Sequence, residues 1–354
     1  MDIIGLKDKN LYFIGGIVRD ELLKRESIDI DLTYNGNAVE FAHSIKNAEI
    51  LQINEPFGTV KIKLNNKEID IASTRSEIYP KKGHLPIIKK IACSLKEDVM
   101  RRDFTINALA KSTLTGEIID YTGGLEDLKN KKIRVLHNNS FIDDPTRILR
   151  ALKFSVRFGF ELDEHTKKLQ NEYLKNINYD ISYKRLQKEL KETLTSWKAF
   201  ERFVNEGIYK LVSPIDFKLP KFPIKNSKNW IVYLGLLPDI SNIPLTKKEK
   251  KIVEEYNNLK NIKLDSDFEI YKSLSNISKE SIIMYSTINP KIVERFNQIK
   301  EIKISLNGED LQNFGIKPSE KYQQCFDFIL KRKLKNPSLS KSEEISIAKE
   351  FFEI

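Results

Sequence analysis

Two carboxylates, Asp29 and Asp31, stand one residue apart with only Ile30 between them. Side chains at i and i+2 of a strand point to the same side. On a strand these two project together, and carboxylates held that close repel unless a cation lies between them. Oxygen ligands of this kind suit Mg²⁺, which often takes one or two protein carboxylates together with substrate phosphates. Upstream, Gly15 and Gly16 form a glycine turn into a helical segment, with Arg19 just behind. Backbone N–H groups at such a turn suit an anion, and the arginine adds a charge-assisted contact. A D-x-D alone is common on surface strands. The glycine pair, the arginine and the two acids in this order read together as a metal-and-phosphate site.

The elements that must hold these residues follow from patterning. Residues 11–14 (LYFI) are apolar and strand-like, 17–24 form an amphipathic helix, and a second strand presents Asp29 and Asp31. Residues 37–46 read as a helix burying Val39, Phe41 and Ala42. Residues 57–64 and 68–73 alternate as strands joined by a turn at Asn65-Asn66-Lys67. Residues 75–94 show no clean period and carry Pro80, Gly83 and Pro86 among lysines, the mark of a long irregular functional loop. Ser94 and Glu97 have capping-box spacing for a helix that ends at Arg101, Arg102 and Asp103, and a small-residue helix is expected over 104–110. Two adjacent arginines beside an acid suit a triphosphate or a ribose. Around Asp120, Gly123, Gly124 and Asp127 a strand should end in a glycine turn that starts a helix. From about residue 140 onward the chain reads as almost entirely helical.

G-G-x-V-R-D followed by D-x-D, with R-R-D-F-T-I-N-A-L-A at 101–110, resembles the nucleotidyltransferase superfamily and, within it, the class II tRNA nucleotidyltransferases and bacterial poly(A) polymerases. The resemblance implies an α+β chain. A polymerase-beta-like head with a mixed sheet and helices (1–135) would precede an all-α neck (136–211), body (212–300) and tail (301–354). It implies Asp29 and Asp31 as catalytic ligands of Mg²⁺, Gly15, Gly16 and Arg19 on the triphosphate, and Arg102 on the incoming nucleotide. Asp70 could be a third carboxylate, since this fold often places one on a neighbouring strand; an ordinary outward-facing Asp is the equal alternative. The 75–94 loop is implied to serve addition of the last nucleotide, and its E-I-Y-P resembles the version in A-adding enzymes.

A third motif, D-D-P-T-R-I-L-R-A-L-K-F at 143–154, resembles the family's E-D-P-x-R-x-x-R-x-x-R-F. Asp144, Arg147 and Arg150 recur at i, i+3 and i+6, on neighbouring parts of one helix face. An Asp can accept from the exocyclic amine of cytosine or adenine, and an Arg can donate to the ring acceptors. Guanine and uracil present the opposite pattern and would leave buried groups unpaired. Asp144 and Arg147 are thus the implied base-selecting pair, supported by Arg150. Lys153 replaces the third arginine and loses its bidentate fork, and Asp143 replaces the Glu. The plainer alternative is an Asp favouring the helix dipole and an i, i+3 salt bridge. Arg185 and Glu189, at i, i+4, are expected to form a structural salt bridge bracing the neck. Residues 304–318 resemble the family's tail, with Ser319 where Gly is usual, and the tail is implied to grip the elbow of tRNA.

The 354 residues carry 60 Lys and Arg against 50 Asp and Glu, a net charge of +10 that suits a polyanionic partner. No apolar run approaches the ~18 residues of a membrane span, the N-terminus lacks a secretory pattern, and Cys93 and Cys325 show no metal spacing. The expectation is a cytoplasmic, disulfide-free protein that does not engage membranes; nothing in the sequence sets its oligomeric state. The resemblance implies attack of a tRNA 3′-hydroxyl on the α-phosphate of ATP, with CTP as an open second substrate and pyrophosphate leaving. Details point nearest to enzymes that add the terminal A to tRNA ending in CC. Full CCA addition and poly(A) synthesis stay open, and more remotely a non-catalytic RNA-binding protein on the same scaffold.

Overall fold

A computed structural model describes residues 5–27, 29–177 and 180–353. The chain forms two compact units. The first comprises Met1–Thr193, Lys198–Asp216 and Ser241–Pro244, and the second Leu194–Trp197, Phe217–Ile240 and Leu245–Ile354. The expected head and most of the neck therefore share one unit.

Along the first unit run β1 (Leu11–Ile14), α1 (Gly16–Leu22), β2 (Asp31–Tyr34), α2 (Ala38–Ser44), β3 (Glu49–Asn54), β4 (Thr59–Leu64) and β5 (Lys67–Ser73). A hairpin of β6 (Arg75–Ile78) and β7 (Ile87–Ile91) follows, then α3 (Leu95–Met100), β8 (Ala110–Ser112), β9 (Ile118–Ile119) and α4 (Gly124–Lys129). The helices α5 (Ser140–Asp143), α6 (Thr146–Phe158), α7 (Glu164–Lys175) and α8 (Tyr183–Thr193) come next. Seven strands form a mixed sheet in the order β3-β4-β5-β2-β1-β8-β9. Within it β2 and β5 pair in parallel. A parallel pair needs a crossover, and α2 with the β3–β4 hairpin supplies it. The core is apolar: Ile17 and Val18 of α1 and Val39 and Ala42 of α2 pack against Leu32, Val60, Ile62, Ile69 and Ile71 of the sheet. Asn65 and Asn66 join β4 to β5 with φ of 51° and 61°, conformations that asparagine tolerates in tight hairpin turns.

Three local expectations are corrected. First, β2 begins at Asp31, so Asp29 is not its i−2 neighbour on a strand but sits in a bend before it; residue 28 lies outside the described residues. Second, 75–94 is not irregular. It holds the β6–β7 ribbon, with a register shift between Ser76 and Glu77. Ile78, Ile87 and Ile91 remain exposed, so no buried face imposes the alternation by which a strand is recognised. Third, 104–110 is not a helix but a 3₁₀ turn, Thr105–Asn107, leading into β8. Ala110 pairs with Ile14 of β1, and this long-range ladder overrides the helix propensity of small residues. The Ser94–Glu97 capping box forms as expected. So does the Asp120 turn, whose carboxylate accepts from the N–H groups of Thr122, Gly123, Gly124 and Leu125.

The described part of the second unit is helical. Its C-terminal portion packs Leu306, Leu311, Cys325, Ile329, Ile347 and Ala348 into one core. Beside it Lys333 and the fully buried Glu344 form an ion pair, and Glu344 also accepts from the N–H groups of Ser305 and Leu306. The lysines at 247–251 lie on the exposed face of a capped helix, Lys247–Leu259. Among the described residues no helix is long and apolar enough to cross a membrane.

Candidate active site

A cleft of about 810 Å³ opens in the first unit. The parallel β2–β5 register puts Asp31 directly beside Asp70, and Asp29 lines the same cleft. Asp70 is paired with Lys61 at 3.0 Å. The Asp31 carboxyl is pushed above the ordinary carboxylate range, first by the protein packed around it and then by the charges of Asp70 and Asp29. Arg102 and Lys61 pull it the other way. Among the described residues no three His, Cys, Asp or Glu are gathered closely enough to cage a metal alone. An all-oxygen set whose own charges oppose ionisation fits a hard divalent cation that completes its shell from water and phosphate.

The glycine turn between β1 and α1 borders this acidic floor. Gly15 has φ of +73°, and its N–H is already donated to Leu109 O at 3.0 Å. What Gly15 contributes is room, since a Cβ there would lie 3.1 Å from Arg102 Nη1. Arg102 donates to Asp98 at 3.1 Å through Nη2, while its buried Nε has no partner among the described residues. Arg19 lines the cleft but is 4 % exposed and firmly held. It bonds Asp20 at 2.8 Å and Asn107, and its guanidinium lies 4.6 Å from the Phe158 ring centroid.

Helix α6 and the residue before it supply another wall, but Asp144 does not share the face of α6 that the i, i+3, i+6 spacing predicted: its backbone is extended (φ −142°, ψ 91°), ahead of Pro145, and α6 begins only at Thr146. Asp144 is buried; Oδ1 accepts from the Thr146 N–H and hydroxyl at 3.2 and 2.6 Å, and Oδ2 accepts from Arg185 Nη2 at 2.5 Å. Arg147 donates through Nη1 to Ser140 Oγ at 2.7 Å and through Nη2 to Arg101 O at 3.1 Å and Tyr79 OH at 3.3 Å. Arg150 holds Asp103 at 2.6 Å and Glu189 at 3.4 Å. Burial alone would raise the Asp103 carboxyl; Arg150 and Asn107 instead hold it down to about 2. Lys153 is not part of the cleft wall, because its ammonium binds Glu189 and Glu192 at 3.1 and 2.7 Å.

The cleft thus gathers Asp29, Asp31, Asp70, Gly15, Gly16, Arg19, Arg102, Asp144, Arg147 and Arg150, and leaves Lys153 outside. The expected Arg185–Glu189 salt bridge is replaced. Arg185 turns to Asp144 and to His84 O at 2.9 Å, and Glu189 turns to Arg150 and Lys153. Asp144, ahead of α6, and Arg150 and Lys153 on α6 present the opposite charges, and pairing with them satisfies both residues. Tyr79, Asp103 and Asn107 also line the cleft without having been singled out as site residues. The available signal was proximity: Asp103 and Asn107 sit within the R-R-D-F-T-I-N motif, and Tyr79 in the E-I-Y-P segment. Chemically, the arrangement offers an acidic floor for a cation, arginines for an anion, and a carboxylate and a guanidinium on one wall for a base with an amine donor and a ring acceptor.

Residues 11–134 match the family model of the poly A polymerase head domain. An A-adding tRNA nucleotidyltransferase of Halalkalibacterium halodurans is 28% identical over 381 residues, covering 97% of this chain and 89% of that protein. An A-adding tRNA nucleotidyltransferase of Aquifex aeolicus is 47% identical over 163 residues; that match covers 45% of this chain and spans only 20% of the Aquifex protein's length. Among solved structures, a CCA-adding enzyme in an apo form superposes with a TM-score of 0.79 at 26% identity, covering 95% of this chain and 90% of that one.

Proposed function

We propose that this chain, which belongs to the family of class II tRNA nucleotidyltransferases and poly(A) polymerases, transfers AMP from ATP to the 3′ end of a tRNA that already ends in CC. The observation that carries this reading is one cleft lined by the paired Asp31 and Asp70, by Arg102 and by Asp144 and Arg147. The A-adding names of the relatives support the choice of product.

In this reading Asp29, Asp31 and Asp70 hold a divalent cation, Mg²⁺. Such an ion, when bound, neutralises phosphate charge and lowers the pKa of the attacking hydroxyl. Arg102, passing over the side-chain-free Gly15, meets the triphosphate with its unspent Nη1. Gly16, at the start of α1, borders the same phosphates, and Arg19 braces the turn from beneath. Asp144 accepts from the exocyclic amine of adenine and Arg147 donates to a ring nitrogen. Arg185 and Thr146 fix Asp144, while Ser140 and Tyr79 fix Arg147, so the pair meets the base pre-oriented. Arg150 acts through Asp103 and Glu189 to anchor α6. The 3′-hydroxyl oxygen bonds to the α-phosphorus as the bond to pyrophosphate breaks. Arg102 stabilises the leaving charge, and no covalent intermediate with the protein is required. In this reading the protein works in the cytoplasm, on tRNA awaiting its 3′ end.

A second reading is synthesis of the whole CCA end. Cytosine offers the same amine and ring acceptor to Asp144 and Arg147, and the superposed solved structure is of a CCA-adding enzyme. Primer extension separates the two. The protein is incubated with Mg²⁺ and tRNA lacking CCA, ending in C or ending in CC, with ATP or CTP in turn. Incorporation of A onto the CC end alone is expected. Growth of all three substrates to CCA selects the second reading, and no incorporation on any substrate refutes both.

A further inference from the structure

Asp98 is completely buried in α3 and is not part of the cleft wall, yet two guanidinium groups and a backbone N–H converge on its carboxylate. Oδ1 accepts from Arg101 Nε and Nη2 at 3.0 and 2.8 Å and from the backbone N–H of Arg75, at the start of β6, at 3.1 Å. Oδ2 accepts from Arg102 Nη2 at 3.1 Å. Burial alone would push the carboxyl up; Arg102 and Arg101 bring it below the usual range, so Asp98 is a buried anion. A buried charge is retained only with such partners.

The consequence lies with Arg102. Its Nη2 is spent on Asp98, its Nη1 lies over Gly15, and its Nε has no partner among the described residues. Arg102 lines the same cleft as Asp29, Asp31 and Asp70, so a guanidinium without its anchor has the acidic floor as an alternative partner. We propose that Asp98 is a positioning residue that holds the Arg102 guanidinium off the carboxylate floor, with Nη1 left for the triphosphate. Through the Arg75 N–H it ties the base of the β6–β7 hairpin to the same anchor. The inference rests on the reading that this cleft binds ATP.

The test is D98N in the full chain, which keeps the shape and removes the charge. Binding of a non-hydrolysable ATP analogue with Mg²⁺ is measured by calorimetry per folded molecule. The Kd should rise ~10- to 100-fold, about 1.4–2.8 kcal/mol at 1.4 kcal/mol per tenfold, while the Kd for tRNA stays within about twofold. The D98N/R102Q double variant should bind no more weakly than R102Q, because Asp98 acts through Arg102. A nucleotide Kd unchanged in D98N, or losses that add in the double variant, would overturn the inference. If D98N does not accumulate folded, D98S, which leaves room for a water, carries the same comparison. A wild-type protein that fails to bind the analogue overturns the functional reading and this inference together; wild-type binding with an unaffected D98N overturns the inference alone.

Discussion

Replacing Asp31 by asparagine should make the metal-free protein more stable while removing its activity. Asp31 stands opposite Asp70 on a neighbouring parallel strand. Strands lie about 4.8 Å apart, where two unit charges repel by about 0.9 kcal/mol at the permittivity of water and about 3.5 kcal/mol at an effective value of 20. Both side chains open to cleft water, the Asp70 side chain being 49% exposed, so screening favours the lower figure. The D31N substitution keeps the shape and removes this repulsion together with that from Asp29. The expected gain at neutral pH is about 1 kcal/mol, or ~2–4 °C in melting temperature for a unit of this size. The pH dependence follows from the raised Asp31 carboxyl. The native state takes up this proton more readily than the unfolded chain, so the penalty is present above the elevated pKa and lifts as pH falls through it. The advantage of D31N should therefore shrink on acidification towards the ordinary carboxylate range. Mg²⁺ at 100 times its Kd should stabilise the wild type by ~2.7 kcal/mol and the variant far less. AMP incorporation should fall ~10²-fold or more, the order seen when one pre-organised electrostatic group is lost. Calorimetric melting with and without Mg²⁺, and primer extension, provide the assays. A metal-free D31N less stable than wild type, or equal stabilisation of both by Mg²⁺, would refute the reasoning.

Gly15→Ala should cost ~1–3 kcal/mol in urea unfolding, because φ of +73° with ψ of −121° is open essentially to glycine alone, and it should weaken ATP binding by crowding Arg102. Asp103→Asn should lower stability by about 2 kcal/mol, because Arg150 loses its nearest partner and keeps only Glu189. Since the Asp103 carboxyl is held down to about 2, its contribution is fully present above the unfolded carboxylate pKa and is lost as pH falls towards 2. Urea midpoints between neutral pH and pH 2 should therefore converge for the two proteins. Arg185→Gln should relax base choice, cutting the preference for ATP over GTP ~10-fold in competitive incorporation, as the Asp144 carboxylate loses its orienting partner.

What could be read along the chain was what depends on near neighbours. The Ser94–Glu97 cap, the Asn65-Asn66 turn, the β1–α1 junction and the i, i+3 spacing of Arg147 and Arg150 on α6 all lie within one or two turns of chain. For such features the geometry is set by local sterics and hydrogen bonding. The acids, arginines and glycines of the cleft carried their chemistry in their residue types, and the motif order pointed to the family. The β6–β7 ribbon and strand β8 were illegible for opposite reasons. The ribbon buries no continuous face and so leaves no period, whereas β8 owes its conformation to a ladder with β1, about a hundred positions earlier in the chain. The role of Asp70 was undecidable from alternation, because a strand pattern says which face a residue takes but not which strand lies beside it. Only the parallel β2–β5 register set Asp70 against Asp31. In the same way Arg185 and Glu189 have helix-pair spacing, yet each is bound to a residue about forty positions away. The chemistry of the site was therefore written in the sequence, while its pairings were decided by tertiary packing. An ion pair forms with whichever opposite charge the fold brings within reach, and sequence distance does not enter that choice.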